Sequence, residues 1–136
     1  MKRILIAAIA LLLTSSLAFA QSTGGKEAKK NLTIKEWKKS ADGKSVRFLD
    51  HVTKYNAQGR KVEEIEYASY GQKKRIVYEY EGSDTKCTRQ VEYDDKNHVS
   101  RIKKFEYNDD GTRKVQYNYK PNGKLESTKN FEYSYK

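Results

Sequence analysis

A tyrosine stands four residues before each of six turn-forming residues, and this spacing constrains the fold more than any other feature of the chain. The turn-forming residues recur every 11 to 15 positions. They are Gly59, Gly71, Gly82, Asn97, Gly111 and Gly123, preceded by Tyr55, Tyr67, Tyr78, Tyr93, Tyr107 and Tyr119. Gly and Asn accept the positive φ that tight hairpin turns need. The repeat therefore predicts a series of antiparallel hairpins.

The segments between the turns alternate between apolar and polar residues, as half-buried strands do. For example, Val115, Tyr117 and Tyr119 alternate with polar residues. A few residues break this pattern. Val62, Val77 and Ile102 fall on the polar side of the alternation, whereas Arg89, Arg101, Lys103 and Lys129 fall on the apolar side. Either β-bulges reset the phase at these points, or the sheet has apolar contacts on both faces.

These patterns predict an all-β fold, an antiparallel up-and-down meander of about eight strands built from Tyr-x-x-x-Gly hairpin repeats. Leu32, Ile34 and Trp37 indicate a first strand, with a turn at Asp42-Gly43 and a second strand over 46–55. One apolar face would need to be covered. We therefore expect a curled or barrel-like sheet first, and pairing with a second copy as a homodimer second.

The first twenty residues have the features of a secretory signal. Lys2 and Arg3 precede an apolar run over 4–13, and small residues surround Ala20. We expect cleavage after Ala20, although an uncleaved anchor is the alternative. The predicted domains are a signal peptide over 1–20, a flexible basic leader over 21–30 and a single β-repeat domain over 31–136. The mature chain would then be secreted or periplasmic and would not span a membrane.

Basic residues outnumber acidic ones by 28 to 18, which favours an anionic partner. One cluster contains Lys35, Lys38 and Lys39, and a second contains Lys73, Lys74 and Arg75 beside Tyr70, a turn residue. Cations interleaved with aromatic rings can bind anionic polymers. We therefore name these seven residues as candidate binding residues. The alternative is that the lysines protect strand edges from aggregation.

No catalytic or metal-binding residues are predicted, and no cofactor. Glutamates precede several tyrosines, and two of them could in principle hydrolyse a glycan. They are Glu66, Glu79, Glu92, Glu106 and Glu132. Because they follow the repeat, cross-strand pairing with Lys or Arg is the favoured interpretation. Cys87 cannot form an internal disulfide and is interpreted as a small buried residue. The Asp94-Asp95 and Asn108-Asp109-Asp110 clusters are interpreted as turn residues rather than calcium ligands.

The segments Tyr55-Asn56-Ala57-Gln58-Gly59-Arg60 and Tyr107-Asn108-Asp109-Asp110-Gly111 resemble the Tyr-Asp (Rhs/YD-type) repeats of bacterial surface and toxin-shell proteins. The overall layout resembles a family of small exported Bacteroidetes proteins of unknown function (DUF3836-like). The repeat resemblance implies hairpins that wind into a carbohydrate-binding or encapsulating shell. Asn97 and Lys120 depart from the motif, and the chain is too short to enclose a cargo.

Together these features predict an exported, non-catalytic binding or interaction module. Its partner would be an anionic polysaccharide, a lipid phosphate, or a protein added along an open strand edge. Cytoplasmic nucleic acid is not an expected partner. Two alternatives remain: a structural protein that assembles with copies of itself, and, less favoured, a small glycan hydrolase.

Overall fold

A computed structural model describes residues 26–44 and 46–136 as a single antiparallel sheet that follows a short 3-10 helix at Lys26–Lys29. The strands are β1 (Thr33–Lys38), β2 (Phe48–Tyr55), β3 (Lys61–Ala68), β4 (Gly71–Tyr80), β5 (Cys87–Tyr93), β6 (Val99–Tyr107), β7 (Arg113–Tyr119) and β8 (Leu125–Asn130). The predicted signal peptide and its cleavage after Ala20 lie outside the described residues. Within those residues, no helix is long and apolar enough to cross a membrane.

The strands pair in chain order from β1 to β8, which confirms the predicted eight-stranded up-and-down meander. The sheet is open, with β1 and β8 as its two edges and every residue of both strands exposed. The barrel alternative is therefore wrong. The interior of an eight-stranded barrel is just wide enough for packed side chains. Here both faces of the sheet carry Lys, Arg and Glu, so closure with either face inward would remove charged side chains from water at a high cost.

All six predicted turn residues have positive φ, from 53° at Gly82 to 121° at Gly71. Asn97 adopts a φ of 61°, the left-handed conformation that Asn tolerates better than most residues. In the turn that contains Gly59, the Asn56 Oδ1 atom accepts hydrogen bonds from the backbone N–H groups of Gln58 and Arg60. Asp94 accepts in the same way from Lys96 and His98. The Asn or Asp that follows the tyrosine therefore stabilises the turn.

Every hairpin contains a register shift, and an aromatic residue always follows it. These residues are Trp37, Tyr55, Tyr67, Tyr80, Tyr93, Tyr107 and Tyr119. In the β2–β3 hairpin, Lys54 lies opposite Glu63 and Tyr55 lies opposite Lys61, so Val62 is the extra residue. The bulge explanation is thus confirmed at Val62. Each bulge reverses which side of the sheet the next residues face.

The buried residues lie on both faces of the sheet, because cross-strand neighbours share a face and the bulges shift the phase. One face, called the valine face below, carries Val52, Ile65, Val91 and Val115. The other, called the amide face, carries Thr53, Phe105, Gln116 and Asn118. Buried apolar residues on both faces agree with the second explanation of the exceptions, and the expectation of one apolar face is wrong. Val77 lies opposite Val91 while Ile76 lies opposite Glu92, so neighbouring apolar residues of β4 face opposite ways.

Tyrosine hydroxyl groups join the two arms of a hairpin at its open end. Tyr80 donates to the Lys61 carbonyl oxygen at 2.7 Å, Tyr107 to that of Cys87 at 2.6 Å, and Tyr133 to that of Arg113 at 2.7 Å. Cations also lie over the tyrosine rings, for example Arg60 over Tyr80 at 5.0 Å and Arg75 over Tyr93 at 4.1 Å. No described side chain is more than 98% buried. These contacts therefore supply stabilisation that a protein with two packed layers would obtain from its hydrophobic core.

Candidate anion-binding site

The seven predicted binding residues lie in two separate groups. Lys35 and Lys38 belong to the edge strand β1, and Lys39 follows it. Tyr70 lies in the turn between β3 and β4 and is 70% exposed. The remaining three residues belong to β4. Because β2 and β3 separate the two groups, their backbones lie about 14 Å apart.

The three basic residues of β4 do not face the same way. Arg75 lies on the valine face, where its guanidinium is 3.3 Å from Glu63 and stacks on Tyr93. Lys74 lies opposite Glu66, with its Nζ atom 3.8 Å from that carboxylate. Lys73 is the extra residue of the bulge and is exposed. Arg75 and Lys74 thus lie close to glutamates of the neighbouring strand β3. A binding role for Lys73, Lys74 and Arg75 stays a prediction.

A different set of basic residues lines a depression of about 210 Å³ on the amide face, across β6, β7 and β8. We call it the basic depression. It is lined by Arg101, Lys103, Gln116, Asn118, Glu126, Ser127 and Lys129. The register explains this grouping, because Lys103 lies opposite Asn118, Asn118 opposite Ser127, and Gln116 opposite Lys129.

Two buried amides form the floor of the basic depression. Gln116 is 6% exposed and Asn118 is 8% exposed. The Gln116 Nε2 atom donates to Asn118 Oδ1 at 2.8 Å, and Asn118 Nδ2 donates to Ser127 Oγ at 3.0 Å. Arg113 donates to Gln116 Oε1 at 3.3 Å. Each amide therefore has a second N–H, and the Ser127 hydroxyl its own proton, for a further acceptor. This chain of bonds fixes the donors before any ligand arrives.

The positive charge of the basic depression is not balanced within the described part of the chain. Burial lowers the pKa of Lys103, and the neighbouring charge of Arg101 lowers it further. Lys129 and Arg113 act in the same direction, while Glu92 opposes them. Across residues 26–44 and 46–136, neither Lys103 nor Arg101 nor Lys129 forms an ion pair with a carboxylate. Cations held close to one another in this way favour an anionic ligand.

The sequence contains a signal for this site. Arg101, Lys103 and Lys129 are three of the four basic residues that occupy apolar positions of the alternation. The fourth, Arg89, forms an ion pair with Glu79 at 2.7 Å. The alternation alone does not show that these three residues lie around one depression.

The repeat glutamates do not gather on one face. Glu66 and Glu92 lie on the amide face, whereas Glu79 and Glu106 lie on the valine face. Glu79 accepts two hydrogen bonds from Arg89, at 2.7 and 2.9 Å, and Glu106 accepts one from Tyr117 at 3.2 Å. The ion pair of Glu79 agrees with the expected cross-strand pairing with Lys or Arg, whereas Glu106 has a tyrosine as its partner.

The thiol and the acidic turn residues are also held by local contacts. Burial raises the pKa of Cys87, and its Sγ atom donates to the Arg89 carbonyl at 3.0 Å. Hydrogen bonds from Thr112 lower the pKa of Asp110, and those from His98 and Lys96 lower that of Asp94. The Asp residues therefore act as turn residues. No group of three or more His, Cys, Asp or Glu in the described ranges is arranged to hold a metal ion.

Comparisons with other proteins provide no family assignment. No family model matches the chain, and no curated protein matches it. A solved structure of a Staphylococcus aureus TarM mutant, in complex with fondaparinux, alpha-GlcNAc-glycerol and UDP, is similar over 85% of this chain and 22% of that chain. The identity is 16% and the TM-score 0.31. This chain spans about a fifth of the TarM chain. At this level of similarity, TarM indicates nothing about the fold or the ligands of this protein.

Proposed function

We propose that this protein is an exported, non-catalytic binding module that holds an anionic polysaccharide through the basic depression. The observation that carries the proposal is the cluster of Arg101, Lys103 and Lys129 above the buried amides of Gln116 and Asn118. The charges attract a sulfate, phosphate or carboxylate group. The amide N–H groups and the Ser127 hydroxyl are donors for its oxygens and for neighbouring hydroxyl groups.

The residues that line the depression favour a polysaccharide over nucleic acid. Proteins that hold single-stranded nucleic acid usually stack its bases on aromatic side chains. None of the described side chains that line the basic depression is aromatic. Its volume of about 210 Å³ suits a single charged group with part of its sugar ring. An open depression on the flat face of a sheet also allows a long polymer to continue on both sides.

The experiment is a titration with dextran sulfate and with uncharged dextran, at about 50 mM and about 300 mM salt. We expect the protein to bind dextran sulfate more tightly at low salt and not to bind dextran through this site. The triple variant Arg101→Gln/Lys103→Gln/Lys129→Gln should weaken binding by about 100-fold, since each lost cation contact weakens binding to a polyanion several-fold.

The matched control is Lys35→Gln/Lys38→Gln/Lys39→Gln. It also removes three positive charges, but from the opposite edge of the sheet. If binding requires the basic depression, this control loses only a few-fold in affinity. Equal losses in the two triple variants would mean that net charge alone drives binding, and the proposed site would be wrong. A larger loss in the control would assign binding to the first predicted cluster instead.

Self-assembly is a second candidate, because both edge strands are open. β1 and β8 lie at opposite edges of the sheet and are exposed along their whole length. Unpaired backbone N–H and C=O groups at such edges can form hydrogen bonds with a strand of another chain. Sedimentation velocity should then show dimers or larger species that increase with protein concentration. A single monomeric species at millimolar concentration would contradict this candidate.

A further inference from the structure

A second concave region lies on the valine face, on the opposite side of the sheet from the basic depression. Three adjoining hollows of about 420, 310 and 190 Å³ share Lys104 in their linings. Together they form a trough along β4 to β7, which we call the tyrosine trough. Its largest hollow is lined by Tyr117 and Tyr119, with Thr88 and Glu106 at its sides.

The polar groups of the tyrosine trough have a small acidic excess, unlike those of the basic depression, which have a basic one. Three carboxylates line the trough, those of Glu79, Glu81 and Glu106, beside the cations of Lys104 and Arg89. In the basic depression, three cations accompany the single carboxylate of Glu126. The trough therefore offers hydrogen-bond donors and acceptors in similar number and has no net attraction for an anion.

The tyrosine rings add a flat apolar surface to these polar groups. The Tyr117 hydroxyl donates to Glu106 Oε1 at 3.2 Å, which holds the ring and the carboxylate in fixed positions. The Lys104 Nζ atom lies 5.4 Å from the centre of the Tyr119 ring. A rigid amphipathic ring beside donors and acceptors complements a sugar, which has one apolar C–H surface and hydroxyl groups around its edge.

We propose that the tyrosine trough binds uncharged sugar rings of an oligosaccharide, with Tyr117 as the stacking platform. Glu106 and Glu79 accept hydrogen bonds from sugar hydroxyl groups, and Lys104 and Thr88 donate to them. A volume of about 420 Å³ in the largest hollow is within the usual range for small-molecule sites. This site uses neither the residues nor the charge of the basic depression, so it does not depend on the function proposed above.

The test is an NMR titration of the isotope-labelled protein with maltohexaose, cellohexaose and laminarihexaose, each uncharged. At least one should shift the signals of Tyr117, Tyr119 and Thr88 and leave those of Asn118 and Ser127 unchanged. Tyr117→Ala should weaken binding by about tenfold, because it removes the ring. Tyr117→Phe keeps the ring and should stay within about threefold of the original protein.

The control is Tyr135→Ala, which removes an exposed tyrosine outside the trough and should leave affinity unchanged. No shifts with any of the three sugars, or shifts confined to the amide face, would overturn the proposal. So would an equal loss in Tyr135→Ala and Tyr117→Ala. Dextran sulfate binding is measured on the same variants. Tyr117→Ala should still bind dextran sulfate. The experiment therefore shows separately whether the proposal for the trough or that for the basic depression is wrong.

Discussion

In strands β2 to β5, cations and carboxylates lie opposite one another on neighbouring strands. The clearest example is Glu63 of β3, which lies 2.8 Å from Lys54 of β2 and 3.3 Å from Arg75 of β4. Lys61 contacts Glu64 in the same strand, and Arg89 of β5 contacts Glu79 of β4. In β6 to β8, by contrast, Arg101, Lys103 and Lys129 lie near buried amides and near one another.

Similar residues therefore have different surroundings in the two regions of one repeat. Charges that alternate in sign across strands stabilise the sheet, although each partly exposed pair contributes only modestly. Charges of one sign on adjacent strands oppose folding, since they repel one another. A sheet that keeps such a cluster gives up some stability there, which is common at functional sites. The paired charges of β2 to β5 therefore stabilise the sheet, whereas the like charges of β6 to β8 support the binding role proposed above.

Reversing a charge in the paired region should have the largest effect. Glu63→Lys places a third cation between Lys54 and Arg75, and should lower the free energy of unfolding by about 2 kcal/mol. The control Glu126→Lys makes the same change at an exposed position beside the basic depression. It should alter stability by less than about 0.5 kcal/mol and strengthen dextran sulfate binding. Equal destabilisation by the two variants in urea would remove the distinction between the regions.

Removing a tyrosine hydroxyl should have an intermediate effect that is the same in both regions. Tyr80→Phe in the β3–β4 hairpin and Tyr107→Phe in the β5–β6 hairpin each remove a hydrogen bond to a backbone carbonyl. Each should lower the free energy of unfolding by about 1 kcal/mol. Tyr70→Phe, at an exposed turn, is the control and should have no measurable effect. Unequal losses at Tyr80 and Tyr107 would show that the regions differ in more than charge.

Acid should weaken the paired region. Burial raises the pKa of Glu63, but hydrogen bonds and charges from Lys54 and Arg75 outweigh it and leave the pKa below its ordinary 4.5. Lys61 has the same net effect on Glu64. Because the folded pKa is the lower one, this stabilisation is present above pH 4.5 and is lost as pH falls through the folded pKa. The loss should appear in urea unfolding as a free energy of unfolding that decreases as pH falls below 4.5.

The control for the acid experiment is Glu63→Gln/Glu64→Gln, whose stability should lie below that of the original protein near neutral pH. The gap between the two proteins should narrow as pH falls below 4.5 and the glutamates become protonated. A gap that stays constant with pH would contradict the pKa directions.

Removing a cation from the basic depression should have the smallest effect on stability, and it should raise the free energy of unfolding instead of lowering it. Burial and Arg101 lower the pKa of Lys103, so the folded protein bears a cost for the charged form at neutral pH. That cost disappears as pH rises through the folded pKa toward the ordinary 10.5. Lys103→Met should therefore raise stability at pH 7 by about 0.5 kcal/mol while weakening dextran sulfate binding.

Lys120→Met, at an exposed turn, is the control and should change neither stability nor dextran sulfate binding. A loss of stability in Lys103→Met would mean that its contacts with the sheet outweigh the repulsion.

The repeat was sufficient to predict the strands and their order, because a tyrosine followed by a positive-φ residue is a local signal. Gly71 and Asn97 are examples whose turns lie where the spacing predicts. The distribution of residues between the faces was not predicted, because each bulge adds one residue and reverses the phase. Val77 and Ile76 show the consequence, since the sequence alone does not say which of them shares a face with Val91.

The basic depression could be predicted only in part. Arg101 and Lys103 stand out as basic residues at apolar positions, which is a usable signal in the sequence. Their approach to Lys129 depends on the register of two hairpins and on the bulges within them. The candidate residues Lys73, Lys74 and Arg75 are consecutive in the sequence. Adjacent residues of a strand point to opposite faces, so such a run rarely forms one site.

Strand order has a mechanical consequence. Because each strand packs against the strands before and after it in the chain, the contacts are local in sequence. Folding can therefore begin at several hairpins and spread outward, as in other repeat architectures. If the molecule is pulled by its two ends, its hairpins should unfold one at a time from the edges of the sheet. The force should then show a series of small, evenly spaced peaks with extension instead of one large peak.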